Sequence, residues 1–101
     1  MREPLEILYL STAQKDLEEI FDYVTRDNPS AAGSLLEQFD RTILLLADNP
    51  ELGVVPRDER LEKLGYRMPV IEDYLVFYVV KSGSVQIRRV IHGAREYRFL
   101  A

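Results

Sequence analysis

Apolar residues recur at strand spacing near the start of the chain, at helix spacing through its middle, and at strand spacing again toward its end. Glu6 to Leu10 is a short apolar run and predicts a strand. Ser11 follows, with Gln14 three residues on. That is the pattern of a capping box, in which the serine oxygen accepts the N3 amide N–H and the glutamine reaches back to the cap. Ala13, Leu17, Ile20 and Val24, with Phe21 beside them, then form one stripe of an amphipathic helix that stops near Asp27. Asn28-Pro29 restarts the chain, because asparagine caps well and proline suits the first helical position. Ala32, Leu35, Leu36, Phe39, Ile43 and Leu46 carry a second helix as far as Asn49-Pro50. So short a link predicts an antiparallel helical hairpin.

Glu51 to Lys63 is irregular, but Leu52, Val54, Val55, Leu61 and Leu64 are spaced through it, so it is expected to lie against the core. Gly65 to Ile71 reads as a second strand, and Pro69 within it predicts an edge position or a bulge. Glu72-Asp73 turns into the longest strand signal, two β-branched and aromatic runs flanking Lys81-Ser82-Gly83-Ser84, which predicts a β-hairpin from Tyr74 toward Arg95. The order is β-α-α-β-β-β. The fold class is α+β, a small and mostly antiparallel sheet packed against an N-terminal helical hairpin, in one domain spanning residues 1–101.

Composition narrows the function classes. The chain has 101 residues with 47% hydrophobic and 30% charged, and no cysteine, so disulfide and thiolate chemistry are excluded. No apolar stretch approaches the roughly 20 residues of a membrane helix, and no signal peptide is visible, so a cytoplasmic location is the expectation. The net charge of −4 conceals an asymmetry. Residues 1–62 hold 6 Lys/Arg against 14 Asp/Glu, and residues 63–101 hold 7 against 3. Either the two helices simply have acidic solvent faces, or the C-terminal strands build a basic face that meets something anionic. An acidic chain of this size is a poor candidate for strong non-specific nucleic-acid binding.

No metal site and no cofactor is expected, given one histidine, no cysteine and carboxylates without ligand spacing. No glycine-rich phosphate loop occurs, and a serine-based triad cannot be assembled around His92. The remaining candidates are Arg67, Tyr74, Arg88, Arg89, His92, Arg95 and Tyr97. Cleavage of RNA through its 2′-hydroxyl needs a base, an acid and a cation on the phosphorane, roles open to His, Tyr and Arg. A single histidine at a strand end is, however, more often a hydrogen-bonded structural residue. Strand alternation puts Arg88, Val90 and His92 on one face and Ile87, Arg89 and Ile91 on the other, unless a bulge intervenes. Arg89 on that second face is placed to pair with a helix carboxylate.

The pattern Ala13-x-x-Asp16-Leu17-x-x-Ile20-x-x-Tyr23, then Asn28-Pro29-x-Ala31-Ala32, resembles the N-terminal half of ParE toxins in the RelE/ParE superfamily. So do Asn49-Pro50-x-x-Gly53, Gly65-Tyr66-Arg67, Tyr74-Leu75-Val76-Phe77-Tyr78 and Val90-Ile91-His92-Gly93-Ala94-Arg95. The resemblance covers nearly the whole chain. It implies the toxin of a type II toxin–antitoxin module such as those that stabilise plasmids, neutralised by a cognate ParD-like antitoxin. Superfamily members of the RelE type cleave messenger RNA on the ribosome, and those of the ParE type inhibit DNA gyrase. Arg67, Arg95 and Tyr97 partly match the nuclease set. Against this, Lys63 stands alone where nucleases cluster lysines, and Tyr74 stands where some place an arginine. The resemblance therefore implies a gyrase-directed, protein-binding toxin rather than an enzyme. The alternatives are a ribosome-dependent endonuclease and an interaction protein that has lost toxicity. Arg67, Tyr74, Arg88, His92, Arg95 and Tyr97 are the candidate partner-binding residues. An amphipathic antitoxin helix is expected beside the helical hairpin, with an acidic antitoxin segment on the basic end of the sheet.

Overall fold

A computed structural model describes residues 3–93. The chain forms β1 (Glu6–Tyr9), α1 (Ser11–Asp27), α2 (Pro29–Asp48), α3 (Glu59–Lys63), β2 (Val70–Ile71), β3 (Tyr74–Lys81) and β4 (Ser84–His92). One four-stranded sheet has the order β1-β4-β3-β2. β1 runs parallel to β4, and the other two pairings are antiparallel. The helical hairpin covers one face. None of the described helices is long and apolar enough to cross a membrane.

The helices form where the apolar period predicts them. Asn28 alone separates α1 from α2 and serves both. Its N–H donates to Val24 O at 2.7 Å, closing α1, and its Oδ1 accepts from Ala31 N at 3.2 Å, opening α2. The start of α1 differs from the expected capping box. Ser11 is already helical, Leu10 takes the cap position, and no side chain caps it. Gln14 Nε2 instead donates to Tyr9 O at 3.0 Å. The reason is the strand just before: Leu10 N donates to Ile87 O, which carries the β1 pairing on to Leu10 and leaves no room for a serine cap. On α2, Leu35, Phe39, Ile43 and Leu46 are buried as expected, but Leu36 is half exposed, because it lies on the flank of the stripe.

The core has two parts. On the helix face, Ala13, Leu35, Phe39 and Leu46 meet Val76, Tyr78, Val85, Ile87 and Val90. On the outer face, Leu61, Tyr66, Phe77, Val79 and Ile91 form a second cluster. Leu61 arrives on α3, an element the apolar period did not reveal because it is only five residues long. Asp58 starts it by accepting from Arg60 N and Leu61 N. Of the five apolar residues expected to anchor this segment, Leu61 is fully buried, whereas Leu52, Val54, Val55 and Leu64 stay largely exposed.

The strands are shorter and more bent than expected. The run from Gly65 to Ile71 is not one strand. Two isolated bridges, Val54 to Met68 and Arg67 to Tyr78, precede the two-residue β2, and Pro69, which has no N–H, separates them. β2 is an edge strand, as Pro69 predicts. The β3–β4 connection is tighter than four residues. Lys81 pairs with Ser84, and the turn is Ser82-Gly83, both at positive φ (53° and 76°), the conformation of a two-residue hairpin turn.

A bulge reverses half of the expected face assignment on β4. Phe77 pairs with Arg89 and Tyr78 with Ile87, so Arg88 is an extra residue. Ile87 and Val90 therefore both face the helices, while Ile91 joins the outer cluster. Arg88 does not share a face with Val90, nor Ile87 with Ile91. Past Ile87, β4 also runs beyond β1, and α1 takes over its open edge. Thr12 Oγ1 donates to Arg88 O at 2.9 Å, and Val90 N donates to Asp16 Oδ2 at 2.9 Å. Arg89 is paired with a helix carboxylate, as expected: its Nε and Nη2 donate to Asp16 at 2.7 and 3.1 Å. Removing the Asp16 carboxylate should leave a part-buried guanidinium and a strand N–H without acceptors. Asp16→Ala is expected to lower unfolding free energy by about 2–3 kcal/mol. Asp16→Asn, which keeps the acceptor for Val90, should cost less. Urea midpoints at unchanged slope would measure both.

Candidate functional site

The candidate residues come from three places in the fold, and the sheet separates them. Arg67 lies opposite Tyr78 in a bridge, so the two share the helix-facing side. There both brace the turn after α2. Tyr78 Oη donates to Pro50 O at 2.6 Å and accepts from Gly53 N at 3.0 Å. Arg67 Nη1 donates to Glu51 O and Gly53 O, each at 3.0 Å. Gly53 is required, because a Cβ there would stand 2.7 Å from the Tyr78 ring. The resemblance to nucleases rests partly on Arg67, and here its guanidinium is engaged by two backbone carbonyls.

Arg88 lies on the opposite side of the sheet. Its guanidinium carbon sits 5.8 Å from the Tyr66 ring centre, a cation–π arrangement, and its Nη2 donates to Gln86 Oε1 at a long 3.3 Å. Arg89 is held at the strand edge by Asp16, whose hydrogen bonds also raise its affinity for the proton. Of the cations expected on one basic end, Arg67, Arg88 and Arg89 are therefore not convergent. Arg95 and Tyr97 lie outside the described residues.

Tyr74 and His92 are the pair that the fold does bring together. They face each other across β3 and β4, their rings edge to face with centres 5.6 Å apart, and Phe39 approaches Tyr74 from α2 at 6.3 Å. Burial, then the carboxylates of Asp73 and Glu72, hold the Tyr74 phenol above its ordinary pKa. At neutral pH it is a hydrogen-bond donor and not a base. This pair closes one end of an open groove of about 480 Å³ between α1 and the free stretch of β4. Ile20, Tyr23 and Val90 supply its apolar wall, and Asp16 and Glu19 its acidic rim. Tyr23 is 73% exposed. It stands one position off the apolar stripe of α1, and a large aromatic on the solvent side of a helix is its signal in the sequence. The groove offers shape and apolar surface with a neutral phenol, and among the described residues Arg67, Arg88 and Arg89 are engaged elsewhere.

Known proteins agree with this architecture. A family model described as the ParE toxin of the type II toxin–antitoxin system parDE matches residues 7–97. Among curated proteins no sequence matches the chain. A solved structure titled as the chromosomal ParDE toxin–antitoxin system from P. aeruginosa aligns with a TM-score of 0.70 at 19% identity, covering 87% of this chain and 95% of that one. At that identity the likeness is one of fold.

The brace at the α2 exit makes a prediction about Arg67. Arg67→Ala and Tyr78→Phe should each lower unfolding free energy by about 1–3 kcal/mol, because carbonyls and a buried N–H lose their partners. Chemical denaturation checks this. An Arg67→Ala protein with unchanged stability would mean that the side chain is spent on something other than the loop.

Proposed function

The chain belongs to the ParE toxin family, the toxic component of a type II toxin–antitoxin system, and from that premise we propose that it acts by binding DNA gyrase and is neutralised by a cognate ParD-like antitoxin. The observation that favours the gyrase reading over the ribosomal nuclease is the separation of the arginines among the described residues, which do not include Arg95. Arg67 is committed to loop carbonyls, Arg89 to Asp16, and Arg88 lies across the sheet from both Tyr74 and His92. A phosphorane needs its cation, acid and base around one point. An acidic chain, at −4, is also handicapped in an RNA-lined site. A toxin that works by occupying a protein surface has neither requirement.

The antitoxin reading rests on the groove. Its apolar wall of Ile20, Tyr23 and Val90 and its open shape suit one face of an amphipathic helix, with Tyr74 as a polar-tipped anchor at the end. Glu19 on the rim favours a basic residue on that helix. The acidic antitoxin segment expected from the sequence meets no lysine or arginine among the described residues that line this groove; Arg88 and Lys81 stand on the other side of the sheet.

Two outcomes follow. Purified toxin should block gyrase supercoiling, or trap gyrase–DNA cleavage complexes, near stoichiometric ratio, and should leave messages on translating ribosomes intact. Discrete ribosomal A-site cuts with unaffected supercoiling would overturn the gyrase assignment. For the groove, Tyr23→Ala should change stability by less than about 0.5 kcal/mol, because the side chain is exposed. It should weaken antitoxin binding about tenfold in a calorimetric titration, as loss of an aromatic anchor does.

A further inference from the structure

Among the described residues, β3 has an open edge that the neighbouring segments do not cover. Val76 N donates to Pro69 O and Tyr78 N to Arg67 O, so the N–H groups of alternate β3 residues point away from β4. Val80 is next in that series. β2 ends far short of it, pairing only with Tyr74 and Leu75, and among the described residues no backbone group meets the Val80 N–H. Its side chain is 46% exposed. An uncovered strand edge of this kind is a template for one more strand.

The ground beside that edge is cationic and apolar. A cleft of about 410 Å³ is lined by Leu64, Tyr66, Val79, Val80, Lys81 and Arg88, with no carboxylate among them, in a chain with 17 Asp and Glu. The bulge turns Arg88 onto this face, and its guanidinium reaches across β3 to lie over Tyr66, beside the open edge. Five N–H donors are available on it. One makes the 3.3 Å bond to Gln86, and Nε is buried with no hydrogen-bond partner among the described residues. Lys81 has no ion pair among the described residues, where the pairs are Arg60 with Asp58 and Arg89 with Asp16. A guanidinium half withdrawn from water, with no carboxylate partner among the described residues, favours an anion beside it.

We propose that this edge docks an extended acidic peptide segment of a partner protein, added to the sheet as a fifth strand beside Val80. Alternation fixes its pattern. Residues of the added strand that face the outer side meet Lys81 and Arg88 and are Asp or Glu; those between them face the other side, beside the Val80 side chain, and are apolar. The edge is separate from the α1–β4 groove. The inference leans on the toxin reading only for who owns the peptide, so either can fail without the other.

The test uses the full-length toxin and a capped hexapeptide of alternating Val and Glu. Amide NMR should show shifts concentrated at Val80, Lys81 and Tyr66, and added salt should weaken binding. Arg88→Ala and Lys81→Glu should each reduce affinity about tenfold or more. Val80→Pro should do the same, because it removes the outward N–H while sparing the β3–β4 ladder; thermal melts check that each variant is folded. The same peptide with Lys for Glu should not bind. The proposal is overturned if shifts fall elsewhere or if Arg88→Ala and Lys81→Glu bind equally well. Inorganic phosphate reproducing the shifts would reduce the site to an anion cleft. A concentration-dependent dimer through the same edge would make a second copy, not an acidic peptide, the occupant.

Discussion

One carboxylate decides how the two layers of this molecule sit. β4 runs to His92, but β1 has left it after Ile87, so the last stretch of β4 would expose a bare edge. Asp16 closes it, accepting two hydrogen bonds from Arg89 and one from Val90 N, with Thr12 adding a fourth contact at Arg88 O. A strand edge satisfied by helix side chains fixes the helix in register, not only in layer. The position of α1, and with it the hairpin partner α2, follows from that contact. The bulge at Arg88 falls within the same stretch, where β4 exchanges a strand neighbour for a helix neighbour.

The candidate surfaces are consequences of the same arrangement. Because α1 holds β4 by its edge, Ile20 and Tyr23 stand over the free end of the strand and open a groove onto Tyr74 and His92. Because the bulge adds one residue, Arg88 is turned to the outer face while Val90 stays inside. The chain thus has an apolar groove with an acidic rim on one side and a cationic strand edge on the other. This suits a protein whose work is to be held by other proteins, one partner surface at a time.

Much of the fold was legible. The two helices, their single-residue junction at Asn28, the end of α2 at Asn49-Pro50 and the final hairpin all follow from local signals: apolar period, capping side chains and proline. α3 was not legible, because five residues carry too little period, and the capping box failed because a strand contact from Leu10 claimed the same turn. The candidate site was legible as a set of residue types and not as a place. Arg67 looked like a recognition or catalytic cation and is a loop brace. Arg89 was read correctly as the partner of a helix carboxylate. Tyr23, which walls the groove, was legible only as part of the family pattern.

The amino-acid sequence by itself determined the element order, the two apolar stripes, the family pattern and the excess of cations in the last third, because each depends on neighbours a few residues apart. The tertiary structure alone decided which cations meet. A strand's side-chain alternation is a strict period of two, and a single inserted residue at Arg88 inverts everything on one side of it. Local preference does not place such an insertion. It is set by where β1 ends and where Asp16 takes the strand edge, contacts between residues more than seventy positions apart.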